Sequence, residues 1–131
     1  MVMNKALEAA RKQHRKAIES MYEYTCTIQE YQSIKDLVTK QTNKQVVTVL
    51  EDQDCNISYQ NVKNANSTDS ATIITQVIKL IIAPEVIIKP GSKLIITDKR
   101  NNNVSEYKNS GVPAVYSSHQ EIVLELFKVW A

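Results

Sequence analysis

The sequence predicts a mainly β protein with one N-terminal amphipathic α-helix, and three observations lead to this fold class. Short apolar segments in the second half of the chain are rich in Ile and Val and are separated by proline and glycine. Because β-branched side chains pack well on a pleated surface, such segments are typical of strands in a sandwich or barrel. An alternation of period two begins at Tyr24, whereas apolar residues before Tyr22 recur at helical spacing. The expected order is therefore one helix and then strands.

Length, composition and charge limit the possible classes of protein. The chain has 131 residues, of which 43% are hydrophobic, and we expect one domain over residues 1–131. Its 16 basic and 14 acidic residues give a net charge of +2, well short of the positive field of a phosphate-backbone binder. No run approaches the roughly 20 apolar residues that span a bilayer, and no signal-peptide core follows Met1. We therefore expect a protein that is cytosolic when made and has no membrane partner.

The helix is predicted over residues 4–22, with Asn4 as its candidate N-cap. Lysine, arginine and glutamate occupy the faces that the apolar residues leave free. The basic cluster consists of Arg11, Lys12, Arg15 and Lys16. It would suit an acidic partner surface or phosphates, although such a run is usually the solvated side of a helix.

The β part is expected to cover residues 24–130. Tyr24, Cys26 and Ile28 share one face of its first strand. Residues 34–44 are predicted to connect a hairpin, and strands are then predicted at residues 45–51, 55–59, 73–82, 85–88, 94–97 and 121–130. Cys26 and Cys55 are expected to be reduced and buried, because the chain lacks a signal peptide.

The strand pattern also predicts a core, a turn and a pair of surface charges. The asparagine-rich segment 98–105 is predicted to be a plain hairpin turn, and Glu121 and Glu125 are predicted to be solvated on one face of the last strand. Within continuous apolar runs the buried face is weakly specified, because the alternation is weak. The predicted core comprises Ile28, Val47, Val49, Ile57, Ile74, Ile78, Leu94, Ile96, Val123 and Phe127.

A polar stretch over residues 60–71 is predicted to be a long loop. Its residues are Gln60, Asn61, Val62, Lys63, Asn64, Ala65, Asn66, Ser67, Thr68, Asp69, Ser70 and Ala71. Ordinary connections run about four to six residues, and longer ones are commonly functional or disordered. Both interpretations remain open from the residues alone.

The pattern of reactive residues does not indicate catalysis. His14 lies on the predicted helix and His119 just before the last strand, and neither has a nucleophile, cysteine pair or acidic cluster at a suitable spacing. With two glycines, Gly91 and Gly111, the chain cannot form a glycine-rich phosphate loop. We therefore expect no enzymatic activity, no cofactor and no metal.

The order of segments across residues 25–129 resembles one known family. A strand and the long polar loop precede TIITQVIKLIIA (72–83), then EVIIKPGSKLIIT (85–97) and a closing SHQEIVLEL (118–126). This order is similar to that of head-tail connector proteins of tailed phages, of the head-completion or stopper type. The nearest likeness is to prophage minor capsid or neck proteins of low-GC Gram-positive bacteria, whose composition shares the Asn, Lys and Ile bias.

The resemblance implies a small antiparallel β-barrel that assembles as a homo-oligomeric ring in the virion neck. Such a ring sits between the portal or adaptor ring and the tail, closes the channel around the packaged DNA and docks the tail. Residues 60–71 would then be the channel loop, and the basic cluster of the helix would dock on the adjacent ring. The protein would be made in the host cytoplasm and would be compatible with a monomer in isolation.

Two other classes are kept as alternatives. A tail terminator or tail-completion ring shares the small size, the mixed helix and strand content and the ring assembly. An OB-like nucleic-acid-binding module would need aromatic residues framed by Lys and Arg on its strands. Tyr59, Tyr107 and Tyr116 fall near predicted strand ends and lack such a frame, which disfavours this module.

Overall fold

The computed structural model describes residues 5–63 and 74–130. These residues form one helix followed by strands that all pair antiparallel in a single sheet, which confirms the mainly β fold class with an N-terminal helix. The elements are α1 (Lys5–Glu19), β1 (Tyr24–Lys35), β2 (Thr42–Lys63), β3 (Ile74–Ile82), β4 (Lys93–Asp98), β5 (Val104–Asn109), β6 (Ala114–Val115) and β7 (Gln120–Leu126).

The helix forms where it was predicted but does not pack through an apolar face. α1 covers most of the predicted 4–22 range, and the candidate cap Asn4 lies outside the described residues. None of its residues is buried, and Leu7 on its apolar side is 47% exposed. Tyr22, just beyond the helix end, is buried. The helix is therefore held at its C-terminal end.

The sheet closes on itself. Its strand order is β3-β2-β1-β4-β5-β7-β6, and β3 also pairs with β7, between Ile78↔Leu124 and Ile82↔Gln120. The strands β1, β2, β3, β7, β5 and β4 thus form a closed ring, and β6 adds a two-residue strand beside the start of β7. Closure pairs the edges that an open sheet would leave free.

The interior of the ring is the hydrophobic core. Strand β4 alternates between half-buried and buried residues, as a strand with one face on a core should. The buried core comprises Cys26, Ile28, Cys55, Ile57, Leu80, Ile82, Ile88, Leu94, Ile96, Tyr107, Ile122 and Leu124. The predictions for Ile28, Ile57, Leu94 and Ile96 are confirmed, and Ile78 packs against this cluster from a half-buried position.

Four predicted core residues are not in the core. Strand β7 directs Ile122 and Leu124 inward, so Val123, with the opposite parity, is 43% exposed. Phe127 lies beyond the end of β7 and packs against Trp130 instead. The remaining two, Val47 and Val49, lie in a part of β2 that extends past the ring. The side chain of Ile74 lies outside the described part of the chain.

Strand β2 is longer than predicted. The predicted strands 45–51 and 55–59 are joined in one strand of 22 residues, and the predicted connection 34–44 shrinks to residues 36–41. Asp52 adopts a positive φ of 49° in the middle of β2, close to a shift of register opposite Ile28. The irregularity bulges the strand without ending it, because pairing with β1 continues on both sides.

The apolar segment 85–88 is not a strand, and β7 ends before 130. Side-chain amides form hydrogen bonds with backbone carbonyls of the segment, which in a sheet would bond to a neighbouring strand. The side-chain amide of Gln120 donates to the carbonyls of Ala83 and Val86, at 2.8 and 2.5 Å, and Asn109 Nδ2 donates to the carbonyl of Ile88 at 3.1 Å. Residues 83–92 are therefore an ordered loop, fixed by two buried amides.

The predicted turn between β4 and β5 is confirmed, with Asn102 at φ 60°.

Strand β2 leaves the ring at both of its ends. Residues 30–35 of β1 pair only with residues 42–47 of β2, and together with the turn between them and the adjoining Thr48 and Val49 we call them the first arm, residues 30–49. Residues 60–63 of β2 pair only with residues 74–77 of β3, and we call these two segments, 60–63 and 74–77, the second arm. The two arms therefore extend from opposite ends of the ring-embedded residues 50–59.

Candidate interaction surfaces

The predicted basic cluster of α1 is divided by its contacts. Arg11, Lys12 and Lys16 are exposed. Arg15 donates from Nε to Glu19 Oε1 at 2.6 Å. Its two terminal nitrogens donate to the two carboxylate oxygens of Glu85, and the bond from Nη2 to Oε2 measures 2.8 Å. These bonds raise the pKa of Arg15 and hold the pKa of Glu85 below its usual range. Arg15 thus fixes α1 to the 83–92 loop, whereas the other three basic residues form no ion pair within residues 5–63 and 74–130.

The predicted channel loop begins later than expected. Gln60, Asn61, Val62 and Lys63 belong to β2 and pair with Val77, Gln76, Thr75 and Ile74. Polar residues form a strand here because pairing with the Ile- and Val-rich β3 satisfies their backbone groups. Residues 64–71 of the predicted loop lie outside the described residues.

The first arm carries an exposed apolar tip. Leu37 and Val38, in the turn between β1 and β2, are 89% and 90% exposed. Asp36 fixes this turn, because its Oδ1 accepts the amides of Val38 at 2.8 Å and of Thr39 at 3.4 Å. The same bonds lower the pKa of Asp36. A turn that is ordered and apolar while facing solvent is typical of a contact surface.

The base of the first arm is braced by an aromatic cluster, Tyr31, Phe127 and Trp130. The Trp130 ring lies 5.3 Å from that of Tyr31 and 5.0 Å from that of Phe127, measured between centroids. Lys44 Nζ lies 5.6 Å from the Tyr31 ring, and Lys93 Nζ lies 4.8 Å from the Phe127 ring. The segment after β7 therefore supports a two-stranded ribbon that would be marginal on its own.

A groove lies between the first arm, the 83–92 loop and the end of α1. Its volume is about 600 Å³. Apolar residues supplied by β2 and by the loop line it: Val49, Leu50, Ala83, Val86 and Ile87. Ile87 is 79% exposed although it lies in a loop fixed by Gln120. Arg15, Glu30, Gln53 and Glu85 supply its polar residues.

His119 belongs to a local network of polar side chains. Its Nδ1 lies 2.8 Å from Ser118 Oγ and its Nε2 lies 3.0 Å from Glu121 Oε2, while its ring stacks on Tyr116. Ser118 is 4% exposed, so its hydroxyl is not open to a substrate. The network ties the start of β7 to the preceding turn. His14 is exposed on α1.

The two cysteines are free and buried, as predicted. Hydrogen bonding to Cys26 and burial raise the pKa of the Cys55 thiol, which keeps it in the unreactive protonated form. Within residues 5–63 and 74–130, no group of three His, Cys, Asp or Glu side chains is placed to hold a metal ion. No helix of that part of the chain is long and apolar enough to cross a membrane.

The sequence predicts the hairpin connected by residues 34–44 but neither the extension of that hairpin past the ring nor the groove. The residues 29–35 are largely polar on both faces, so no buried face imposes a visible alternation on them. The signal that was present is the pair Leu37-Val38 inside an otherwise polar turn. Comparison with family models, curated proteins and solved structures found no match to this chain.

Proposed function

We propose that this protein is a structural component of a tailed-phage neck, of the head-completion or stopper type. It assembles as a homo-oligomeric ring between the portal or adaptor ring and the tail, closes the DNA channel and docks the tail. One observation carries the proposal: β2 extends past the closed ring of strands at both ends, as the two arms. A ring subunit needs such projections, because it contacts copies of itself as well as neighbours on two sides.

In this proposal the closed ring of strands is a small antiparallel β-barrel. Its interior is filled by aliphatic side chains such as Leu80 and Ile122, both fully buried. Barrel closure leaves few free strand edges, and the longest of these lie on the arms. Contacts that use strand edges are thereby directed to the arms.

The second arm is proposed to point into the channel. Residues 60–63 extend β2 past the last rung that β3 makes with β7 at Ile78, so the predicted channel loop starts from a projecting hairpin. Copies of this arm arranged around a symmetry axis would form hydrogen bonds with one another across the channel. The packaged DNA is then retained by assembly of the ring.

The exposed basic residues of α1 are proposed to dock on the adjacent ring. Arg11, Lys12 and Lys16 make no ion pair within the described residues, so they are free to meet acidic groups of a partner. Charges of this kind increase the rate of association and fix the orientation of docking, and they affect the final affinity less. The partners are portal or adaptor proteins on one side and tail proteins on the other, the location is the virion neck after synthesis in the host cytoplasm, and the role is structural rather than enzymatic.

Reconstitution tests the proposal. Purified protein is added to DNA-filled heads made without it and, separately, to free tails. We expect binding to heads, protection of the packaged DNA from added nuclease and a gain of tail attachment. Binding to free tails but not to heads would instead favour the tail terminator or tail-completion role.

The aromatic cluster favours nucleic-acid binding as a second candidate function. Lys44 and Lys93 lie over two of its rings, which is the combination that an OB-like module uses. The rings pack on one another, however, and Lys93 is paired with Glu106 at 2.9 Å. They are therefore less available to stack on bases. Tight binding of a single-stranded oligonucleotide, abolished by Tyr31→Ala, would favour this function over the neck role.

A further inference from the structure

We infer that the tip of the first arm of one copy docks in the groove of a second copy. The tip is the turn that contains Leu37 and Val38, and the groove is lined by Val49, Ala83 and Ile87 among others. This inference rests on the proposed ring function and names the contact that would build the ring.

The tip has the properties of an inserting element. Its two aliphatic side chains are almost fully exposed, so their burial is available only through a partner. The turn is already ordered by Asp36, whose carboxylate accepts two amides and whose backbone carbonyl accepts the amide of Lys40 at 2.8 Å. Little conformational entropy remains to be lost on docking, since the bound shape exists beforehand.

The groove has the properties of a receiving site. Five of its nine lining residues are aliphatic, and its volume of about 600 Å³ leaves room for two aliphatic side chains. Gln120 fixes the loop that carries Ile87, because its side-chain amide bonds the carbonyls of Ala83 and Val86. The 79% exposure of Ile87 is therefore a property of an ordered loop.

The tip cannot fill the groove of its own chain. Val49 and Leu50 line the groove at the base of the same arm, while the tip lies beyond Thr42 at its far end. Seven paired residues separate the two, a distance of roughly 23 Å at about 3.3 Å per residue. The occupant must be a second copy or another protein.

Charge favours a second copy. Lys35 and Lys40 flank the tip, and neither has an ion pair among the described residues. Glu51 and Asp52, which follow the groove residue Leu50, are exposed and equally unpaired there. Asp36 in the tip and Arg15 in the groove carry the opposite charges, but bonds within their own chain already hold them. The unpaired basic residues beside the tip of one copy thus complement the unpaired acidic residues beside the groove of another. Because tip and groove are different patches, the contact is heterologous and generates a ring or a filament.

Intermolecular cysteine cross-linking tests the contact directly. Leu37→Cys and Ile87→Cys chains, given tags of different length, are mixed and oxidised, both free at high concentration and bound to heads. We expect a mixed disulfide between the two variants. Val112→Cys, at an equally exposed aliphatic residue (93%) outside tip and groove, is the matched control for chance collisions. A mixed disulfide no more abundant than that with Val112→Cys, in both settings, would overturn the inference.

Two outcomes separate this inference from the neck function. Cross-linking in solution without any binding to heads would support the contact and contradict the neck role. Head binding and DNA retention without the cross-link would support the neck role and contradict the contact. A charge exchange gives an independent check: Lys35→Glu should reduce the yield of mixed disulfide, and Glu51→Lys with Asp52→Lys in the receiving copy should restore it.

Discussion

Arg15 and Glu85, 70 positions apart in the chain, form a bidentate ion pair that joins α1 to the loop before β4. Both side chains are partly exposed, at 33% and 62%. The pair therefore adds little to overall stability but sets the position of a helix that has no buried residue.

Removing this ion pair should loosen the helix without unfolding the ring of strands. For Arg15→Gln we expect a change in the free energy of unfolding below about 1 kcal/mol, because exposed ion pairs are screened by solvent. Amide exchange in α1 should become faster while exchange in β4 and β7 stays unchanged. Lys12→Gln, on the same helix, is the control that should alter neither quantity.

Lowering the pH should loosen α1 in the same way as the substitution Arg15→Gln. The pKa of Glu85 is depressed in the folded protein by its bond with Arg15. Its contribution is therefore fully present above the ordinary carboxyl pKa of 4.5 and is lost as the pH falls through the depressed value. The protection factors of the α1 amides, which are corrected for the intrinsic pH dependence of exchange, should fall over that acidic range in the native protein, whereas in Glu85→Gln they should be low already at neutral pH.

Paired substitutions on β3 and β7 test the core. Leu80→Ala should cost about 2–5 kcal/mol, because the fully buried side chain leaves a cavity. Val123→Ala should cost less than about 1 kcal/mol, since Val123 faces solvent. Denaturant unfolding measures both. Equal losses for the two variants would mean that β7 directs its other face inward.

Gln120 should be required for the ordered 83–92 loop. In Gln120→Leu the half-buried carbonyl of Val86 loses the side-chain donor that it has among the described residues, and an unsatisfied acceptor costs about 1–3 kcal/mol when it is cut off from water. We expect a loss of that size in urea unfolding, together with faster exchange in residues 86–92. Gln76→Leu, at an exposed glutamine, is the control and should stay within about 0.5 kcal/mol of the parent protein.

Reversal of the free helix charges should weaken docking on heads. In the triple variant Arg11→Glu, Lys12→Glu and Lys16→Glu, association should slow and lose its dependence on salt, while thermal unfolding stays unchanged. Arg15 is left in place because it holds the helix. Docking at the parent rate in low salt would show that these charges are merely solvated.

Shortening the predicted channel loop should separate folding from retention of DNA. Replacing residues 64–69 by a short Gly-Ser link should leave the protein folded and able to bind heads, since loops tolerate changes of length. Heads completed with this variant should leak DNA into nuclease. Normal retention would indicate that the protein acts as an adaptor for the tail rather than as a plug.

The sequence predicts best where one face of a strand meets the core. Alternation at Tyr24, Cys26 and Ile28 locates β1 because the ring interior selects every second residue. In β7, Val123 shares its face with Glu121 and Glu125, whereas the buried Ile122 and Leu124 share theirs with Gln120, an amide. The prediction that Val123 faces the core is therefore wrong, because a buried, hydrogen-bonded glutamine cannot be recognised as a core residue from the sequence.

Neither arm could be found in this way, for a physical reason. Residues 30–35 pair with β2 outside the ring, so no core imposes a pattern on them. Gln60 and Asn61 are strand residues through backbone pairing alone. The groove depends on a loop held by Gln120 and on a helix held by Arg15, and such long-range bonds leave no local signal.

The single strand β2 also has a consequence for how related proteins would vary. Within its central residues 50–59, residues 50–55 are held in register by β1 and residues 55–59 by β3. Either end can therefore lengthen or shorten without disturbing the other. Residues must be gained or lost in pairs on both strands of a hairpin, because the insertion of one residue would turn every following side chain to the opposite face of the sheet. Homologues that bind different partners should keep this central segment constant while the two ends diverge independently.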